Sequence, residues 1–440
     1  MPEWLEDAFG AAVETGAFLL QALLVVGVYL AFVLACYGAW WLVWGRRHER
    51  TGFQALKTVT FGDESAVTPN RAASVISVVS IFLTWGAFTG SAWTPIHVPG
   101  PFLGDTAFTY TARDAAGAED DATVTVRVHP LGEEVAEPEV ADGEGFARDD
   151  AGLVAAYRSE LLRVTRNDEG EAVTVVAVDG RPISPGQTVD VADATVTMTP
   201  RGSLSVAPDK GLQMEPIWLP APEAVVASFW SILQDGYQNV PLWSHLGWSL
   251  LRVLVGFVLG ALVGIPLGYA MGLSGWFRGW FDVIVEFMRP VPPLALIPLV
   301  IIWFGIWESG KIVLLFLAAL WIMAIAARAG VSGVAISKVH AAYSLGASKW
   351  QVLRHVIIPN SLPEIFTGAR VAMGVCWGTV VAAELVAAQK GVGMMIMAAS
   401  KFQLTHIVIM GIVLIGIVGF AIDILMRRAE VWLVPWKGRV

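Results

Sequence analysis

Apolar residues in this chain gather into long runs, and about 20 mostly apolar residues is the length that crosses a bilayer as a helix. Seven stretches qualify or come close: roughly 18–44, 73–93, 247–273, 281–304, 311–328, 366–388 and 405–426. The fourth is the least regular, because Pro290, Pro292, Pro293 and Pro298 interrupt it. A broken helix survives in a bilayer only where neighbouring protein satisfies the backbone groups that it frees. Between the second and third runs, about 96–215, the pattern changes to period two. TAFTYTARD followed by DDATVTVRV reads as two strands joined by a polar turn. EAVTVVAVDGRPI with TVDVADATVTMTPRGSLSVAP reads as several more, with Asp179-Gly180 as a turn signal. EEVAEPEVADGEG reads as the linker between these halves. The expected organisation is therefore a first helix, a loop and a second span over 1–95, a β insert over 96–215, and a helical membrane core over 216–440.

Composition supports a membrane protein and weighs against a soluble enzyme: of 440 residues, 55% are hydrophobic and only 15% charged. Nineteen Trp fit the aromatic enrichment of the headgroup region, although they could equally fill cores. Cys36 and Cys376 both lie in apolar runs, so neither suggests a disulfide framework or a metal motif. The N-terminus, MPEWLEDAFG, is acidic where a signal peptide would be basic, so the first apolar run is expected to stay in the mature protein. Arg46, Arg47, Arg50, Lys57 and Arg71 fall between the first two runs, and Arg278 between the third and fourth. Lys338, Lys349 and Arg354 fall between the fifth and sixth, and Arg427, Arg428, Lys437 and Arg439 after the last. With seven crossings all four segments share one side, which predicts a cytoplasmic C-terminus and an N-terminus outside. The insert holds 22 acidic and 9 basic side chains, a net of −13 where the whole chain carries −9, so acid is concentrated in one external domain. Asp114, Glu119, Asp120 and Asp121 could bind a cation, but the EF-hand spacing is absent and a solvated surface explains them as well.

GIWESGKI, Gly305 to Ile312, has the glycine and lysine spacing of a phosphate-binding loop. Ile312 stands where Ser or Thr would hold Mg²⁺, and the predicted topology puts the segment on the side without ATP, so it is read as a decoy with Glu308 and Lys311 as interfacial anchors. In the third run Gly256, Gly260, Gly264, Gly268 and Gly272 recur every four residues, a strip where a second helix backbone can approach closely, within the subunit or across a homodimer. Asp282, Glu286, Arg289, Arg328, Arg370, Glu384 and Asp423 are ionisable groups near or within the runs, where burial is costly and function is the default reading. Glu286 and Arg289 are three apart, could pair, and are read with Glu384 as candidates for a translocation path. Glu384, in VVAAELVAA, is the candidate for a polar group on a translocation path, and a buried structural hydrogen bond would explain it equally well.

Between the fifth and sixth runs lies HAAYSLGASKWQVLRHVIIPNSLPEIFTGAR. Val339 to Leu345 predicts a short helix, Gly346 permits a sharp backbone change, and a second helix is expected from about Ser348 to Ile357, stopped by Pro359 and Pro363. This segment resembles the coupling loop of the permease subunits of binding-protein-dependent ABC importers, whose signature is E-A-A, three residues, G, nine residues, I-x-L-P. Ala341, Ala342, Gly346, Val356, Ile358 and Pro359 stand at matching positions, with Leu345 and Ala347 flanking the glycine and His340 in place of the Glu. The resemblance extends over most of 216–440, through WLPAPEAVVASFWSIL, SLLRVLVGFVLGALVGIPLGYAMG, EFMRPVPPLALIPLVIIWFGIWESGKI, VAAELVAAQKGVGMMI and VWLVPWKGRV. It is to the nitrate, sulfonate and taurine group, and most to taurine permeases.

That resemblance implies a polytopic α-helical fold of about seven spans with the loop at 332–364 docked on a separate cytoplasmic ATPase. It implies a homodimer in a bacterial inner membrane, fed by a periplasmic binding protein. It implies no catalysis and no cofactor in this chain, ATP and Mg²⁺ belonging to the partner, and no nucleic-acid partner. The insert resembles halves of immunoglobulin-like or cadherin-like sandwich repeats in reversed order, which implies an external all-β sandwich. Three alternatives stand beside this reading: a membrane-anchored sensor or adhesion protein whose sandwich binds the ligand, a secondary transporter, and an importer of nitrate, alkanesulfonate or a thiamine precursor.

Overall fold

The computed structural model describes residues 3–40, 71–140, 145–169 and 172–436, which divide into two compact units, Met1–Glu223 and Ala224–Val440. In the first unit, helix α1 (Glu3–Trp40) runs much further toward the N-terminus than its apolar run, and its membrane-length window is Leu23–Trp40. Residues 41–44 of the expected first span, and Arg46, Arg47, Arg50 and Lys57 after it, lie outside the described residues. Helix α2 (Arg71–Thr89) is shorter than expected, with an apolar part, Ala73–Thr89, below full membrane length. Buried Tyr29 on α1 donates its hydroxyl to the Ile96 carbonyl at 2.7 Å and accepts from the Ile96 N–H at 3.1 Å, locking the loop after α2.

That loop meets the chain returning from the insert. Phe102 N–H donates to Asp209 O at 3.0 Å, Leu212 N–H to Pro99 O at 2.7 Å and Met214 N–H to Phe88 O at 2.8 Å. Glu223 accepts from the Ser91 hydroxyl at 2.6 Å and the Ala92 N–H at 2.9 Å. Backbone pairing satisfies polar groups that a bare linker would leave to water, so the two ends of the insert form one stiff neck on α2.

The insert itself has two sheets. The first has the order β3-β2-β1-β5-β6, from β1 (Gly104–Arg113), β2 (Glu119–His129), β3 (Asp150–Ala155), β5 (Thr174–Val178) and β6 (Arg181–Pro182). The second has the order β4-β9-β8-β7, from β4 (Glu160–Leu162), β7 (Thr188–Val191), β8 (Ala194–Met198) and β9 (Leu204–Pro208). All neighbours are antiparallel except β2 and β3, so the first sheet is mixed. Alternate residues point inward, and Phe108, Tyr110, Val124 and Val126 share one buried core with Val196, Leu204 and Val206. Asp179 and Gly180, with φ of 47° and 70°, turn β5 into β6, the conformation that an Asp-Gly pair tolerates. The acidic candidates are absorbed locally: Asp114 accepts from Ala116 and Ala118 N–H, Asp120 from Ala147 N–H, Asp121 from the Thr111 hydroxyl, and Glu119 pairs with Arg113. Among the described residues no group of three or more His, Cys, Asp or Glu is arranged to hold a metal ion. Under the sheets, the buried Tyr110 hydroxyl donates to Asp168 at 2.9 Å, and an oxygen each of Asp150 and Asp168 is buried without a hydrogen-bond partner. Burial first, then the Asp168 charge, pushes the Asp150 carboxyl up to about 7.

In the second unit, α3 (Pro222–Asp235) leads to α4 (Leu242–Leu273), α5 (Gly275–Met288), α6 (Ile297–Phe304), α7 (Glu308–Ser332), α8 (Ile336–Ser344), α9 (Lys349–Val352), α10 (Ile358–Ala387), α11 (Val392–Lys401) and α12 (Thr405–Leu433). Among the described residues of the whole chain, five helices are long and apolar enough to cross a membrane: Leu23–Trp40, α4, α7, the continuous helix Lys349–Leu385, and α12. The expected run 281–304 is a pair, α5 and α6, bent by 94° around the prolines. Geometry nevertheless makes that pair traverse the bundle. The glycine strip of α4 packs against α7 in parallel: a Cβ on Gly260 would meet Ala319 Cβ at 2.6 Å, one on Gly264 would meet Leu320 O at 2.6 Å, and one on Gly272 would meet Val331 at 2.8 Å. Since α4 and α7 run the same way, residues 274–307 must carry the chain back along α4, about 30 Å at 1.5 Å per residue.

One expectation fails. Pro359 and Pro363 do not stop the second helix of the polar loop, which runs on from Lys349 into the span. A wide turn of π-helix over Leu353–Ile357 precedes Pro359, and Pro363, lacking an N–H, leaves the Pro359 carbonyl free. The Trp436 indole N–H donates to that carbonyl at 3.1 Å, and the Asn360 amide reaches back to Val356 O at 2.6 Å. The first of these comes from a residue far along the chain that a purely local reading does not weigh.

Candidate functional site

The second unit has distinctive chemistry at its two ends. At one end is an elbow. Helix α8 carries His340, Ala341 and Ala342 and ends before Leu345, Gly346 turns with a φ of 79°, Ala347 follows, and Ser348 starts α9 with a capping box closed by Gln351. Val356, Ile358 and Pro359 lie on the second limb. The elbow has little core of its own: Leu345 is 89% exposed and Trp350 65%.

At the other end is an ionic cluster within the bundle. Arg252, on α4, is 3% exposed. Its Nε and Nη2 hold Glu308 at the start of α7 in a bidentate pair, 2.6 and 2.9 Å. Its Nη1 holds Glu384 on α10 at 2.6 Å and the Lys390 carbonyl at 2.7 Å, and its guanidinium lies 5.6 Å from the centre of the Trp248 ring. The Glu384 carboxyl is fully enclosed, with Ser249 donating its hydroxyl at 2.8 Å and Gly393 its N–H at 2.9 Å. Val392 N–H donates in turn to Ser249, and Gly391 N–H to His245 Nδ1. Lys311, 7% exposed, pairs with Glu308 at 2.8 Å. The Glu308 side chain alone in this quartet has a broad solvent face, at 45% exposure. A cavity of about 330 Å³ lined by Gln238, Glu384, Met394, Met397, Lys401 and Phe402 opens on the far side of Glu384.

Sequence reasoning picked Glu384 out of this cluster and passed over Arg252, Ser249 and His245. It read Glu308 and Lys311 as interfacial anchors, whereas Lys311 is buried in the ionic cluster. Arg252 interrupts SLLRVLVG, the one charge in that apolar run, which is the signal that would have found it. Gly305 to Ile312 forms no phosphate cradle: Gly305, φ 71°, ends α6, and the lysine points to Glu308. The other candidates gather elsewhere. Glu286 bonds Arg328 at 2.7 Å and lies 3.8 Å from Arg289, while Arg370 meets Asp423 across α10 and α12 at 3.2 Å.

Long apolar helices packed in parallel on a glycine strip, a broken crossing, an ionic cluster at one end and a bare elbow at the other define a polytopic helical membrane protein of the transporter type. Residues 256–433 match the family described as binding-protein-dependent transport system inner membrane component. The taurine transport system permease protein TauC of Escherichia coli (strain K12) is 42% identical over 228 residues, 52% of this chain and 83% of that protein. The putative aliphatic sulfonates transport permease protein SsuC of the same strain is 42% identical over 216 residues, 49% of this chain and 81% of that protein. The nitrate import permease protein NrtB of Synechococcus elongatus is 30% identical over 235 residues, 50% of this chain and 80% of that protein. The chain belongs to the ABC importer permeases of the taurine, sulfonate and nitrate group, multi-pass inner-membrane subunits that are not themselves enzymes.

Proposed function

We propose that this chain carries taurine or a related small sulfonate inward from a periplasmic binding protein, as a homodimer on two cytoplasmic ATPases that hold the ATP and Mg²⁺. The N-terminus and the β insert lie outside, and the elbow within 332–364 and the C-terminus lie in the cytoplasm, on the distribution of Lys and Arg. His340, Ala341, Ala342, Leu345, Gly346 and Ala347 dock on the ATPase, with Val356, Ile358 and Pro359 bracing the second limb. One observation carries this reading. The helices that enter and leave the elbow, α7 and Lys349–Leu385, are the two that bear Glu308 and Glu384 at their far ends. A tilt imposed at the elbow therefore reaches the ionic cluster through two continuous helices. Glu384 acts there as the post of a latch, and Glu286 and Arg289 belong to the elbow end.

Uptake in vesicles holding the permease, ATPase and binding protein tests the function, with taurine, ethanesulfonate and nitrate as competitors. Taurine or ethanesulfonate outcompeting nitrate supports the reading; preference for nitrate replaces the substrate while keeping the class. Gly346→Val, forcing a side chain onto a backbone at φ 79°, is expected to leave the complex assembled and to cut substrate-stimulated ATPase activity about tenfold or more, for a strain of ~1–2 kcal/mol. Unchanged stimulation removes the elbow from coupling. The insert serves as a landing post for the binding protein, on the support of its stiff neck and its concentrated acid. Gly100 and Gly211 already touch, since a Cβ on Gly211 would collide with Gly100 O, so excising 101–210 closes the chain without a gap. Binding-protein affinity unchanged by that excision refutes this role.

A further inference from the structure

We propose that Arg252 and Lys311 form an oxyanion site for the sulfonate group of the substrate, and that Glu308 fills this site as a built-in stand-in when no substrate is present. The inference rests on the transport reading above and names the residues that would select its substrate class. Arg252 and Lys311 are both more than nine-tenths buried and both converge on a single carboxylate. The Arg252 fork holds the two oxygens of Glu308 side by side, the arrangement in which a guanidinium recognises any planar or tetrahedral oxyanion.

The two carboxylates of the cluster are not equivalent. Glu384 is enclosed and accepts from Arg252, Ser249 and Gly393 together, so it is a fixed counter-charge. Glu308 is half open, begins α7, and follows a connection in which Gly305 adopts a left-handed backbone. With Glu308 in place the cluster holds two cations and two carboxylates and is neutral. With Glu308 swung out, Arg252 and Lys311 face one remaining carboxylate and the site is left with one net positive charge, the complement of one sulfonate. The first N–H groups of α7 receive no side-chain cap from Trp307 and add a favourable end for an anion. An anion that displaces Glu308 takes its place between Arg252 on α4 and Lys311 on α7 and releases the Glu308 side chain to solvent.

The test uses the whole permease–ATPase complex in nanodiscs of neutral lipid, with thermal stabilisation by ethanesulfonate measured against chloride at equal ionic strength. Glu308→Gln is expected to tighten the apparent ethanesulfonate affinity about tenfold or more, because the competing charge is gone. Adding Lys311→Met to Glu308→Gln is expected to cancel that gain. No gain in Glu308→Gln, or a gain that survives in the double variant, overturns the site. Should Glu308→Gln fail to assemble, Glu308→Asp, with its shorter reach, is expected to tighten affinity about threefold, and no change in that variant counts equally against the proposal. Stabilisation by phosphatidylglycerol but not by ethanesulfonate assigns the two cations to lipid and also overturns it. Taurine uptake by the unaltered complex, measured separately, tests the substrate reading, so either can fail while the other stands.

Discussion

Arg252→Met isolates what the ionic cluster contributes to the fold. The substitution keeps a long apolar stem but removes the fork that joins α4, α7 and α10. Glu384 is then left with no solvent face and with only Ser249 and Gly393 as partners, while Glu308 keeps Lys311 and its open side. Breaking a buried pair by removing one partner costs about 3–5 kcal/mol, most of it the uncompensated charge left behind. Glu308→Gln takes a counter-charge from buried Lys311 but should cost less, about 2–3 kcal/mol, because its amide oxygen still accepts from Lys311, Arg252 keeps Glu384, and water reaches residue 308. The sharper expectation is the double variant. Glu384→Gln added to Arg252→Met removes the stranded charge while keeping the Ser249 and Gly393 bonds, and should recover about 2–3 kcal/mol. The assay is equilibrium unfolding in mixed micelles, run as a double-mutant cycle with the fraction of monodisperse complex as a second readout. Arg252→Met no worse than Glu308→Gln, or Glu384→Gln deepening the loss, would refute the reasoning.

Two further outcomes follow from packing and from pH. Gly264→Val, which drives a side chain into Leu320 O and Met323, should destabilise the bundle by about 1–3 kcal/mol or prevent assembly; Gly247→Ala, with nothing within 4 Å of a new Cβ, should be neutral or gain up to ~1 kcal/mol from helix propensity, and equal unfolding midpoints for the two would deny the α4–α7 contact. Asp150, held up to about 7 in the folded insert against 3.8 ordinarily, binds its proton more tightly folded than unfolded, so its contribution is full below about pH 4 and is lost as pH rises to about 7. Linkage would allow up to ~4 kcal/mol, which partial exposure reduces to about 1–2 kcal/mol. Thermal melts of the full chain across pH 4–8 should show that decline, and Asp150→Asn should flatten it; a decline of the same size in Asp150→Asn would clear Asp150 of the effect.

What the sequence made legible was what local pattern controls. Apolar runs located α4, α7, α10 and α12 because a bilayer demands length and composition, and period two located β1, β2, β5, β7, β8 and β9 because each buries one face. Of the strands it hid, β4 has only three residues, and β3 joins β2 in parallel, a pairing reached across the residues from His129 to Asp150 and marked by no hairpin signal. The prolines of IPNSLPEI misled for a related reason. A proline removes one backbone donor and crowds the preceding turn, and here the carbonyl that Pro363 frees is met by Trp436, 77 residues away. The crossing at 274–307 likewise follows only once α4 and α7 are seen to be parallel, since 94° of bend by itself is as consistent with a loop that turns back.

The ionic cluster shows the same limit from the side of chemistry. Glu384 could be singled out because a carboxylate amid VVAA is conspicuous, yet whether it lines a path or closes a bond depends on Arg252, Ser249 and Gly393, which lie 132, 135 and 9 residues from it. Three donors, Arg252, Ser249 and Gly393, already engage its two oxygens, so the same burial that made it a candidate also ties it into the bundle. The open member is Glu308, which hydropathy had assigned to the membrane surface. A charge at the end of a span is inexpensive and therefore uninformative by itself; it acquires meaning only from the buried cations it neutralises. The function-bearing asymmetry between Glu308 and Glu384 is thus a property of three helices packed together, and no reading of any one of them contains it.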